Sequence, residues 1–102
     1  MHIQFSYKNV TEKDKKFLET YIDKKTDRIA KLMNESDFSN ANLEIRVEKF
    51  TKKEAYKCEI HLNYPRQNFM TSEDDHTVIE AFDLALDKLI IQLRKHKDEQ
   101  KN

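Results

Sequence analysis

Lys24, Arg28 and Lys31 recur at i, i+4 and i+7, and at about 100° per residue they fall on one flank of a helix. Glu19, Asp23 and Asp27 fall on the opposite flank. Near the end of the chain Lys88 and Lys95 share a stripe with Leu84 and Ile91, and Arg94-Lys95-His96-Lys97 forms a basic terminus. Ammonium and guanidinium groups lined up along a helix bind anions, phosphates above all, through charge-assisted hydrogen bonds. The same pattern also suits a plain solvated helix whose C-terminal cations complement the macrodipole. Two features favour a contact surface. Lys24 and Arg28 of the first helix gather on one flank with no acid four residues away on either side. Leu84 and Ile91 stand outside the core stripe, beside lysines, as on a docking face.

Other reactive side chains do not assemble into a catalytic pattern. His2, His61, His76 and His96 lie in separate elements without the spacing of a helical metal site, and read as surface or helix-terminal residues. Glu73-Asp74-Asp75-His76 imitates a metal cluster, but its place before a helix favours capping and dipole complementarity. Cys58 falls on the apolar face of a strand, so it reads as a small buried hydrophobe; as the only cysteine it permits no internal disulfide. No serine or threonine has a recognisable base and orienting acid. The glycine count of zero removes the phosphate-cradling loops, the dinucleotide fingerprint and the glycine clamp of one RNA-binding class, each of which needs glycine's backbone freedom. Neither an enzyme nor a cofactor or metal is expected.

These side chains must be held by a small number of elements. Ile3, Phe5 and Tyr7 alternate with polar residues over 2–8 and predict a strand. A helix starts near Thr11, with Phe17, Leu18, Tyr21, Ile22, Ile29, Leu32 and Met33 as its apolar stripe through residue 33. Asn34 to Asn40 reads as a loop, with Phe38 turned inward. Leu43, Ile45 and Val47 mark a second strand. Tyr56, Cys58, Ile60, Leu62 and Tyr64 mark a third, broken by Pro65-Arg66-Gln67. A short strand over Asn68 to Ser72 closes a hairpin. Glu73-Asp74-Asp75 then leads into a last helix with Val78, Ile79, Phe82, Ala85, Leu86, Leu89, Ile90 and Leu93 inward. The expected fold is α+β, in the order β-α-β-β-β-α: a four-stranded, mostly antiparallel sheet covered on one face by two helices. The other face, with Glu44, Arg46, Lys57, Glu59 and His61, is expected in solvent. Phe5, Tyr7, Tyr56 and Tyr64 share the covered face, which favours core packing over base stacking.

The chain of 102 residues is expected to be one domain over 1–97, with a frayed tail over 98–102. Nineteen basic and nineteen acidic residues give zero net charge, so nucleic-acid binding requires the cations to be gathered on one face. No apolar stretch approaches the ~20 residues that span a bilayer and no signal segment opens the chain, which points to the cytoplasm.

The final helix, Ala81-Phe82-Asp83-Leu84-Ala85-Leu86-Asp87-Lys88-Leu89 followed by Gln92-Leu93-Arg94-Lys95-His96-Lys97, resembles the ribosome hibernation-promoting factors, a family that includes the ribosome-associated inhibitor and was formerly described as modulators of sigma-54. Lys8-Asn9-Val10, Asp27-Arg28-Ile29-Ala30-Lys31-Leu32 and Leu43 to Lys49 agree, so the resemblance spans almost the whole chain. It implies a factor that binds the small ribosomal subunit and whole ribosomes, occupies the channel for messenger and transfer RNA, and inhibits translation in idle or stressed cells. Arg28, Lys31, Lys88 and Lys95 match basic positions of the family that contact ribosomal RNA; Lys24 and Arg94 join them on geometry alone. The length resembles the family's short form, expected to be a monomer off the ribosome, with no small-molecule substrate. Three departures stand out. The first helical region is about five residues longer than usual, Ile79 and Ile91 replace the usual Tyr and Arg, and Pro65-Arg66-Gln67-Asn68 replaces a glycine-bearing turn. Loss of the Arg removes one expected phosphate contact. A general double-stranded-RNA-binding module and a protein–protein regulator docking through Leu84 and Ile91 are the alternative readings.

Overall fold

The computed structural model describes residues 1–100. Four strands, β1 (His2–Lys8), β2 (Asn42–Lys49), β3 (Tyr56–Tyr64) and β4 (Gln67–Asp75), form one sheet in the order β1-β2-β3-β4. β1 runs parallel to β2, while β2–β3 and β3–β4 are antiparallel. The expected α+β sheet is therefore present, and its parallel pair follows from the long helical crossover between β1 and β2.

Register explains the two faces. Ile3, Phe5 and Tyr7 lie opposite Leu43, Ile45 and Val47, which in turn lie opposite Leu62, Ile60 and Cys58. Because side chains alternate with period two, this places every apolar residue of the three strands on one side. Leu18 and Ile22, Ile29, and Phe82, Leu86, Leu89 and Leu93 close over them as one core. Ile60 and Leu62 are fully buried at its centre, where truncation to Ala costs roughly 2–5 kcal/mol. Cys58 is fully buried as well, and burial raises its thiol pKa to about 12, so it is an inert packing residue.

The first helical region departs from the expected single helix. It comprises α1 (Glu12–Asp23), α2 (Thr26–Ala30) and, where a loop was expected, α3 (Glu35–Ser39). Thr11 caps α1 by accepting from Asp14 N at 3.2 Å. At the α1–α2 break, Lys24 N and Lys25 N donate back only three residues, to Tyr21 O and Ile22 O at 3.1 and 2.9 Å. The tighter turn rotates α2 relative to α1 without either lysine leaving the right-handed region. Asn34 caps α3 by accepting from Asp37 N at 2.7 Å. Phe38, on α3, is half-buried.

The last helix, α4 (Val78–Gln100), packs against β3 and β4. Thr71 of β4, the one buried polar residue of the described chain, donates from Oγ1 to Ala85 O at 2.8 Å and ties the strand to the helix. Glu73-Asp74-Asp75 does not precede the helix as a cap, as the sequence suggested; it completes β4, paired with Cys58, Lys57 and Tyr56. Thr77 is the capping residue instead, accepting from Glu80 N at 3.1 Å. In the β3–β4 turn Arg66 takes φ 69°, a left-handed conformation costing roughly 1–2 kcal/mol that glycine would relieve. Of the expected frayed tail, residues 98–100 continue α4, and residues 101 and 102 lie outside the described residues.

Candidate nucleic-acid interface

Three phenols hold α1 in place over the sheet and beside α4. Tyr7 of β1 donates to Glu19 at 2.8 Å, Tyr56 of β3 to Asp14 at 3.0 Å, and Tyr21 of α1 to both carboxylate oxygens of Asp83 in α4 at 2.9 and 2.8 Å. Burial first, then the hydrogen bond to Asp83, pushes the Tyr21 phenol up to about 12. Tyr7 and Tyr56 are raised for the same pair of reasons, with Glu19 and Asp14 as their acceptors. These bonds occupy the carboxylates of Asp14, Glu19 and Asp83 in fixing helices.

On this frame α4 presents the stripe foreseen from its spacing. Leu84 is 40% exposed and Ile91 64%, with Lys88 and Lys95 exposed on the same face. Lys88 is engaged by the Glu73 carboxylate of β4. Lys95 lies beside Phe69, Gln92 and Glu99 in a shallow cleft, where the His96 ring meets Phe69 edge-on at 5.6 Å between centroids. Arg94 is exposed on the flank nearer α2. On that flank Arg28 Nη1 contacts Asp87 Oδ1 at 3.0 Å and bridges α2 to α4. Lys31, exposed, forms the C-cap of α2, and Lys24, also exposed, the C-cap of α1.

The six cations foreseen from sequence are thus placed unequally. Lys88 and Lys95 share one stripe, and Arg28 is brought to the flank of α4 that also carries Arg94. The continuous flank expected for Lys24, Arg28 and Lys31 is divided by the α1–α2 break. Arg28 and Lys88 are not free of carboxylates either, because both find partners far away in sequence that spacing along one helix does not reveal.

Sequence reasoning also placed Phe17 in the apolar stripe, whereas it is 60% exposed. Leu18 and Ile22 occupy the core, and Phe17, about 100° around the helix from Leu18, falls on the side of α1 turned outward. Lys13, Lys16 and Lys24 share the outer face of α1 with Phe17, a grouping whose signal was present in the i, i+3, i+4 spacing of residues 13, 16 and 17.

The far face of the sheet is electrostatically closed. Arg46 pairs with Glu44 at 2.7 Å, Lys57 with Glu59 at 3.2 Å and Lys8 with Glu48 at 3.8 Å. The bond from Lys57 holds the Glu59 carboxyl below its usual range. Acids alternate with cations there, so an incoming polyanion meets repulsion as well as attraction. On the helix layer, among the described residues, Lys24, Lys31, Arg94 and Lys95 make no ion pair.

A four-stranded sheet built in the order β-α-α-α-β-β-β-α, with its helices packed on one face, defines an α+β domain. The family model for sigma 54 modulation protein / S30EA ribosomal protein matches residues 3–101, and the chain belongs to that family. Among solved structures, the chain is similar to the N-terminal domain of Protein Y from Thermus thermophilus, with a TM-score of 0.75 and 20% identity over 94% of this chain and 99% of that one. It is also similar to a ribosomal subunit interface protein from Coxiella burnetii, with a TM-score of 0.67 and 18% identity over 96% of this chain and 99% of that one. No match is found among curated proteins. Among the described residues, no helix is long and apolar enough to cross a membrane.

Proposed function

We propose that this chain is a ribosome hibernation factor that binds the small ribosomal subunit, lies in its channel for messenger and transfer RNA, and inhibits translation in idle or stressed cells. Membership of the sigma 54 modulation / S30EA family supports this reading, as does the description of a structural neighbour as a ribosomal subunit interface protein. The observation that carries it is the exposed α4 stripe, where Lys88 and Lys95 flank Ile91 on a helix anchored to β3 and β4. A rigid helix with its stem buried presents cations at fixed spacing, so little ordering entropy opposes their engagement of phosphates. Lys24, Arg28, Lys31, Lys88, Arg94 and Lys95 supply charge-assisted contacts to ribosomal RNA; these contacts position the domain, and its bulk excludes other ligands. Inhibition is steric and needs no bond made or broken, no cofactor and no small molecule. The chain acts in the cytoplasm, as a monomer when off the ribosome.

Sedimentation with vacant ribosomes and separated subunits, at low and moderate salt, tests this. The chain is expected to travel with the small subunit and the whole ribosome, and to be released as salt rises. Comparable retention by any long RNA duplex points instead to a general duplex binder. Retention on a protein target, insensitive to ribonuclease and salt, points to a protein regulator.

A further inference from the structure

The outer face of α1 carries an aromatic ring that the core does not use. Phe17 is 60% exposed, and the shallow basin around it is lined by Lys13, Lys16, Thr20, Tyr21 and Lys24. No carboxylate contributes to that lining. Three of the four acids of α1 are held elsewhere, Glu12 by Lys15 at 3.0 Å, Asp14 by Tyr56 and Glu19 by Tyr7, and the fourth, Asp23, does not line the basin. Lys13, Lys16 and Lys24 make no ion pair among the described residues, and Lys25 adds a fourth ammonium 5.1 Å from the Tyr21 ring centroid. Tyr21 itself cannot swing away, because its hydroxyl is bound to Asp83 and its ring meets Phe82 edge-on. The basin floor is therefore fixed.

We infer that this face is a second RNA contact, at which an unpaired nucleotide base stacks on Phe17 while the flanking phosphates are held by Lys13, Lys16 and Lys24. The inference rests on the ribosomal RNA reading above and adds to it a named single-stranded element. From Lys13 to Lys24 the helix rises about 16 Å, long enough to follow several phosphates on either side of one stacked base. An aromatic platform edged by cations is the general recipe for binding single strands, since every base offers a π face and every linkage a charge. The competing occupants fit less well. A second copy of this chain would bring ammonium groups against ammonium groups. A protein hot spot needs an anchor enclosed in a well-packed pocket, and this basin is shallow and open.

The chain has no tryptophan, so Phe17→Trp places a single indole at the proposed stacking position. Titration of that variant with short oligoadenylate is expected to quench its emission; a duplex of the same length, whose bases are already stacked, quenches far less. Polyglutamate is expected to leave the emission unchanged. Phe17→Ala should weaken binding of both oligoadenylate and the small subunit by roughly 5- to 150-fold, the effect of losing one stacked base. Phe17→Leu should lose as much, and Phe17→Tyr should retain binding, with unchanged thermal midpoints confirming intact folding. Absence of quenching by oligoadenylate, an equal response to polyglutamate, or undiminished binding by Phe17→Ala overturns the inference; the second of these would assign the face to an acidic protein. If the indole is quenched by oligoadenylate but the unsubstituted chain ignores small subunits, the stacking site stands and the ribosomal reading falls. If subunit binding is intact and unaffected at position 17, only the stacking site falls.

Discussion

Arg28 Nη1 lies 3.0 Å from Asp87 Oδ1, so a guanidinium expected to grip phosphate is already joined to a carboxylate across the α2–α4 boundary. Both side chains remain substantially exposed, which limits the pair to roughly 1 kcal/mol or less. A phosphate that replaces Asp87 as the partner of Arg28 must overcome both the pair and the carboxylate left behind. Asp87→Asn is therefore expected to tighten small-subunit binding by roughly 2- to 5-fold, with a thermal midpoint close to that of the unsubstituted chain. Weaker binding by this variant would mean that Asp87 positions Arg28 productively.

Reversal of both stripe cations, Lys88→Glu with Lys95→Glu, is expected to abolish sedimentation with small subunits. Both side chains point out from α4, so thermal stability should change little, apart from repulsion between Glu73 and the carboxylate introduced at position 88. Circular dichroism melting alongside the sedimentation assay separates loss of contact from loss of fold.

Ile91 occupies the middle of that stripe at 64% exposure, at a position where the resemblance read from the sequence implies an arginine. Ile91→Arg should add one phosphate contact. The slope of log K against log salt is expected to steepen by roughly 0.7–0.9, and affinity at low salt should rise. No core contact is lost, so the melting curve should coincide with that of the unsubstituted chain.

Tyr21 makes a pH-dependent contribution of calculable sign. Its phenol titrates near 12 in the fold and near 10 in the unfolded chain. The unfolded chain therefore gives up its proton first, and the stability conferred is whole below about pH 10 and is lost as pH rises toward 12. Tyr7 and Tyr56, also raised, act in the same direction. Tyr21→Phe is expected to cost roughly 0.5–1.5 kcal/mol at neutral pH by removing the bond to Asp83. Its melting midpoint should then fall less steeply than that of the unsubstituted chain between pH 10 and 12.

The strands were legible because their alternation is unbroken: Leu43, Ile45 and Val47 on β2 and Cys58, Ile60 and Leu62 on β3 admit only one buried face. The α1–α2 break was not, because Ile22 and Ile29 are seven residues apart, two turns of an uninterrupted helix, and Lys24-Lys25 contains no glycine or proline. Other features left signals in plain view. Asn34 with Asp37, and Thr77 with Glu80, have capping spacing, yet the acidic run Glu73-Asp74-Asp75 drew the helix start toward itself. Cross-strand pairing with Cys58, Lys57 and Tyr56 outweighs the weak strand preference of those acids. The cation stripe of α4 was read correctly as exposed, whereas the partners of Arg28 and Lys88 depend on tertiary proximity that no local spacing encodes.

Competition with transfer RNA on vacant small subunits tests the central claim most directly. The labelled chain, bound to subunits at low salt, is challenged with increasing deacylated transfer RNA, and the bound fraction is read by sedimentation. Occupancy of the messenger and transfer RNA channel predicts stoichiometric displacement, and the reciprocal exclusion of transfer RNA by excess chain. Simultaneous binding of both to one subunit would contradict it and move the site elsewhere on the ribosome.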